Sequence, residues 1–225
     1  VPTGWQVGLI RVEDVVVGAL VGIVVSVLLW PRGATAAVAK AIEEARVVGA
    51  KFLKAAVVRV TRGASEDATD RVIALSHDGL EASRTVDDAV RQYLSENGGA
   101  TDLRAPVVRA ANRAIRLRTA AELIADVVPP PLGVYPRTRE VLEAHAEAIC
   151  ARLTGDRGRD LESISDDFVL ALRADAPTVG TPSARRAGGE LAVSAALPLS
   201  TVAANLGELE LLYPHPAEQI LTEKE

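Results

Sequence analysis

Apolar positions recur along this chain in two ways. From Val15 to Trp30 every residue is uncharged, and Ser26 is the one polar side chain. Beyond Pro31 the apolar positions step by three and four, with charge between them, the spacing of one face of an α-helix. Val38, Ile42, Ala45, Gly49, Phe52, Ala56 and Val60 predict a helix over 32–62. Val72, Leu75, Gly79, Ala82, Val86, Ala89 and Tyr93 predict a second over 66–97, capped by Ser65 and stopped by Gly98 and Gly99. Val107, Ala110, Ala114, Leu117, Ala121, Ile124 and Val128 predict a third over 102–128, ended by Pro129, Pro130 and Pro131. Long helices with short connections pack as antiparallel bundles, and the alanines and Gly49 on these seams allow close approach. Shorter helices follow over 136–153 (Leu142, Ala146, Ile149, Leu153) and 161–174 (Ile164, Phe168, Leu172). Residues 176–189 read as a Pro, Gly and Ser-rich loop, and a last helix over 191–213 carries Leu199, Val202, Leu206, Leu209 and Tyr213, with Pro198 at an internal start or kink. No strand pairs and no sequence repeat emerge. The fold class expected is all-α: a membrane-spanning segment within 1–31, a helical domain over 32–213 and an acidic tail over 214–225.

The first apolar run is about 24 Å long as a helix, short of the ~30 Å hydrocarbon core. Extension back through Val7–Val12, with Arg11 snorkelling, closes the gap. Trp5 and Trp30 stand where interfacial aromatic anchors belong, and Arg32 follows at the boundary. Arg32, Lys40, Arg46 and Lys51 lie after the run and only Arg11 before it, which places the C-terminal side in the cytoplasm. Gly18, Gly22 and Ser26, four apart, put small residues on one face for contact with another helix. The competing reading is a helix buried on every side in a protein core.

Charge and composition narrow the classes. The net charge is −5, and two Trp, three Tyr and two Phe supply few stacking surfaces, so nucleic acid is not an expected partner. Cys150 is the single cysteine, which excludes an intrachain disulfide and a cysteine zinc cluster. The sequence contains no Met, even at position 1, and is expected to be a piece of a longer chain.

Candidate chemistry concentrates at the membrane boundary. Arg11, Glu13 and Asp14 lie where ionisable groups are costly and are paired or used. Two roles fit: an interfacial anchor that sets the depth of the helix, or transport chemistry, with Glu13 or Asp14 carrying a proton and Arg11 meeting an anion. Elsewhere the pattern is structural. His77 and Asp78 read as a solvated pair. His145 and Glu147, two apart, do not share a helix face, so no metal site is expected there. Cys150 reads as core, Ser163 or Ser165 as a helix cap, and 155–160 (GDRGRD) as a turn. Arg113, Arg116 and Arg118 read as a salt-bridged face or a lipid-headgroup contact. Walker, dinucleotide, nucleophile-elbow and zinc-helix patterns are missing, so neither enzymatic activity nor a cofactor is expected.

Residues 2–33, with Gly4-Trp5, Arg11-Val12-Glu13-Asp14, the Gly18–Ser26 helix and Leu29-Trp30-Pro31-Arg32, resemble the last membrane helix of bacterial FUSC-type proteins, the fusaric acid resistance and aromatic acid exporter-like family. The Ala, Val and Arg bias is similar to actinobacterial members. The resemblance implies an inner-membrane exporter of small organic or aromatic acids, with further membrane helices upstream, a cytoplasmic helical domain, the lipid bilayer as its surroundings and a homo-oligomer as a possible assembly. The alternative is a membrane-tethered helical scaffold or sensor without transport.

Overall fold

A computed structural model describes residues 32–96, 104–155, 163–175 and 182–213, together with Val15 and Ala19. Among the described residues the fold is all-helical and contains no strand. Six helices follow in order: α1 (Arg32–Arg62), α2 (Glu66–Glu96), α3 (Arg104–Ala125), α4 (Pro136–Thr154), α5 (Ile164–Asp175) and α6 (Pro182–Leu212).

Helix α1 is the axis of the domain, packing on α2, α3, α4 and, over a short stretch, α6. Its expected seam is buried apart from the half-buried Ile42, with Phe52, Ala56 and Val60 completely so. A second stripe, Ala50, Leu53 and Val57, is buried as well, because α4 runs antiparallel along that side. Arg62 meets Glu143 and Ala50 meets Cys150, which fixes that direction. Each fully buried Leu or Phe contributes about 1.5–3 kcal/mol relative to exposure.

The chain reverses between α1 and α2 at Gly63, whose φ of 97° suits a residue without a β-carbon. Ser65 Oγ then accepts the Ala68 N–H at 3.2 Å, and Glu66 and Asp67 stand in the first turn, where the helix dipole favours acids. At the other end of this hairpin, Val38, Tyr93 and Val107 form a small cluster, followed by Ala41, Ala45, Val86, Ala111 and Ala114. Among the described residues, the packing at this end draws on α1, α2 and α3. All six described helices contribute to the main core, where Leu117, Ile124, Leu142, Ile149, Leu199 and Leu206 meet.

Two boundaries differ from the sequence reading. Residues 182–189, read as loop, are the first turns of α6; Pro182 occupies the first helical position, where its missing N–H costs nothing. Pro198 lies inside that continuous helix. Helix α3 ends at Ala125, and Val128, placed on its seam by the pattern, is 77% exposed in the connection that follows.

Among the described residues, no helix is long and apolar enough to cross a membrane. The expected spanning segment lies outside them, apart from Val15 and Ala19. Both are helical and exposed.

Candidate functional site

Helix α4 carries the polar groups that hold the second half of the domain. Its N-terminus lacks a local cap: Tyr135 occupies that position at φ 58° and makes no side-chain cap bond. A left-handed non-glycine residue is strained. The cap comes instead from α5, where Asp175 Oδ2 accepts the Thr138 N–H at 2.8 Å and the Thr138 hydroxyl at 2.9 Å.

One residue further on, Arg139 is buried and its guanidinium is fully engaged. Nε donates to Val134 O at 2.8 Å, Nη1 to Val60 O and Thr61 O at 3.3 and 2.5 Å, and Nη2 to Pro130 O and Pro131 O at 3.2 and 2.7 Å. It thus satisfies carbonyls in the last turn of α1, which have no partner within their own helix, and pins the triple-proline connection to them. Burial lowers its pKa, partly opposed by Glu143. Glu143 in turn accepts Thr61 Oγ1 at 2.6 Å and Arg62 Nη2 at 2.5 Å.

His145 lies at the centre of the α4–α5–α6 junction and is 1% exposed. Both ring nitrogens face carboxylates: Nδ1 stands 2.9 Å from Glu210 Oε1 on α6, and Nε2 stands 2.9 Å from Asp167 Oδ2 on α5. Glu210 also accepts the Ile164 N–H at 3.2 Å and so caps α5. Burial pushes the His145 pKa down, but the two carboxylates outweigh it and hold the pKa above 6.5. The acids grip opposite edges of the ring, so this is a clamp and not a chelate. No metal-ligating cluster occurs among the described residues.

Two further features bound the chemistry. The Cys150 Sγ donates to Ala50 O at 3.2 Å, it is half-buried against the core, and burial raises its pKa to about 11, which favours the thiol over the thiolate. An open cleft of about 480 Å³ lies between α1, α2 and α3, floored by the buried Phe52 and Val72 and rimmed by Ile73, Arg59, His77, Glu122 and Asp126. Charges of both signs share that rim. Arg59 Nη1 is spent on Ala125 O and Val127 O, at 2.8 and 3.2 Å, and Glu122 on Arg118.

The boundary residues Trp5, Arg11, Glu13, Asp14 and Trp30 and the packing residues Gly18, Gly22 and Ser26 lie outside the described residues, as does the tail over 214–225. Arg32 contributes the first residue of α1. His77 and Asp78 are exposed, as the pattern predicts. Of the arginine face, Arg118 pairs with Glu122, while Arg113 and Arg116 are exposed. Gly155 caps α4 at φ 81°, and residues 156–160 lie outside the described residues. At the start of α5, Ser163 contributes its backbone oxygen to Asp166 and Asp167, whereas Glu210 supplies the side-chain cap. Spacing along the sequence, which sets His145 only against Glu147, does not reveal its partners, because they are not its helix neighbours: they stand 22 and 65 residues away. The one available signal was position, since His145 falls on the buried face with Leu142 and Ile149.

Compared with profiles of known families, with characterised proteins and with solved structures, the chain matches none.

Proposed function

We propose that this chain is the C-terminal part of an inner-membrane exporter of small organic or aromatic acids, of the kind its first 33 residues resemble. The observation that carries the reading is the run Val15–Trp30, uncharged throughout, bracketed by Trp5 and Trp30 and followed at once by Arg32. Two structural facts support it. Val15, within that run, is 70% exposed, so the described helices of this chain do not cover it. Among the described residues, the clusters at the end where α1 begins draw on α1, α2 and α3. In this reading Gly18, Gly22 and Ser26 face upstream membrane helices. Arg11, Glu13 and Asp14 sit at the boundary as anchor or as proton and anion sites, and the helical domain lies in the cytoplasm, where it joins subunits or regulates passage.

The test is partition followed by transport. The 225-residue chain is expected to enter the detergent phase, while residues 34–225 remain in buffer as a helical protein; recovery of the whole chain as a detergent-free monomer overturns the membrane reading. Four or more further apolar helices encoded upstream favour an exporter over a tethered scaffold. In the complete protein, Asp14→Asn is expected to reduce export of an aromatic acid at unchanged membrane abundance; unchanged export assigns Asp14 to anchoring.

A further inference from the structure

Helix α5 is twelve residues long and packs only on α4 and α6 among the described helices. It buries Ile164, Phe168 and Ala171 and lays Leu172 half-buried against the core, a small apolar face for a whole helix. Three polar links complete its attachment: the Ile164 N–H on Glu210, Asp167 on His145, and Asp175 on Thr138. The middle link is the one whose hydrogen-bond count depends on a proton. A protonated imidazole donates from both nitrogens, and this ring has an acceptor waiting at each. A neutral ring keeps one N–H and turns a lone pair toward the other carboxylate at 2.9 Å.

We propose that His145, Asp167 and Glu210 form a pH-operated latch that holds α5 on α4 and α6 while the ring carries its second proton and releases α5 when that proton is lost. Glu210 is held in place by its second partner, the Ile164 N–H, so the bond to Asp167 is the one given up, and α5 loosens around Asp167, between the links at Ile164 and Asp175. The surroundings leave the ring to these two acids. On α4 itself the residues three and four away are Val141, Leu142, Ala148 and Ile149, all apolar. From α1, Lys54 and Arg62 face α4 but pair with Glu147 and Glu143. From α5 and α6, Asp167 and Glu210 are the charges that act on the ring.

The direction follows from linkage. The ring's pKa is higher in the folded chain than in the unfolded one, so its contribution is complete below about pH 6.5 and is lost as pH rises through the higher folded value. Each unit of elevation corresponds to about a tenfold change in the opening equilibrium.

Hydrogen exchange on the whole chain in detergent, with ¹⁵N spectra of the His145 ring, tests this between about pH 6 and about pH 9, the range that brackets a raised histidine pKa. After correction for intrinsic exchange, protection of residues 164–175 is expected to fall severalfold or more through the midpoint of the ring's titration, while the core of α1 keeps its protection. Asp167→Asn is expected to move both midpoints down together, and His145→Gln to leave α5 weakly protected at every pH. The latch is refuted by a ring that is neutral at about pH 6, by a ring that stays doubly protonated at about pH 9, or by a ring that titrates while α5 protection stays constant. The wild-type comparison decides the matter even where His145→Gln fails to fold.

Discussion

The Leu117 side chain occupies the space a β-carbon on Gly49 would need: its Cδ2 would lie 2.8 Å from that carbon and its Cγ 3.0 Å. Leu117 is fully buried and cannot swing into solvent. Gly49 is therefore a contact requirement of the α1–α3 pair, and it outweighs the helix propensity that alanine would add. Gly79, in the middle of α2, is different. A β-carbon there meets Arg118 Cγ at 3.6 Å and Phe52 Cδ1 at 3.8 Å, ordinary contact distances.

Gly49→Ala is accordingly expected to destabilise the chain by about 1–3 kcal/mol, the usual cost of overpacking a filled core. Gly79→Ala is expected to be neutral or to stabilise by up to about 1 kcal/mol, through helix propensity. Urea unfolding followed by far-UV circular dichroism separates the two. Equal effects of either sign would show that the α1–α3 spacing is not set by Gly49.

The arginine at the head of α4 gives a second test. Arg139→Lys keeps the charge and most of the length but replaces a planar fork, engaged on five carbonyls, with a point charge. Losing several charge-assisted bonds while the carbonyls stay buried is expected to cost about 2–4 kcal/mol. Because the bonds run to the triple-proline connection, the loss should also expose residues 127–135 to proteolysis before the rest of the chain. A lysine variant as stable as the parent, with that connection still protected, would show that the planar fork of Arg139 is not what holds the connection to α1.

What the sequence made legible follows from the range of the interactions. The heptad-like seams of α1, α2 and α3 and the stripes of α4 and α6 were readable because a helix sorts its own residues three and four apart into faces. Gly49 as a point of close approach and Ser65 as a cap were readable for the same local reason. The second buried stripe of α1, Ala50, Leu53 and Val57, was not, since it exists only because α4 returns across it. Residues 176–189 read as a loop because proline, glycine and serine recur through them, yet Pro182 is a helix starter and 182–189 are continuous with the helix that buries Leu199, Leu206 and Leu209. The polar junction was invisible for the strongest version of this reason. His145 has no titratable neighbour at helical spacing, and its partners come from two other helices. Asp175 replaces a cap that the local sequence around Tyr135 does not supply, and Glu210 reaches the Ile164 N–H from α6 although Ser163 stands next to it in sequence.

Glu143 gives the acid-side counterpart of the latch. The hydrogen bond from Arg62, with a smaller one from Thr61, holds its carboxyl below the ordinary 4.5 in spite of partial burial. Since its folded pKa is depressed, its contribution is complete above the unfolded value and disappears as pH falls through the lower folded one. The parent chain is therefore expected to lose part of its stability as pH falls below the ordinary 4.5 and through the lower folded value of this group. Glu143→Gln keeps an acceptor for Thr61 but gives up the charged pair, and is expected to cost about 1 kcal/mol at neutral pH. It should narrow to a smaller difference in acid, because protonation takes from the parent what the substitution has already removed. Urea midpoints of both proteins across that range check it. A difference that stays constant with pH would mean that the variant acts through packing along the α1–α4 contact and not through the charge on Glu143.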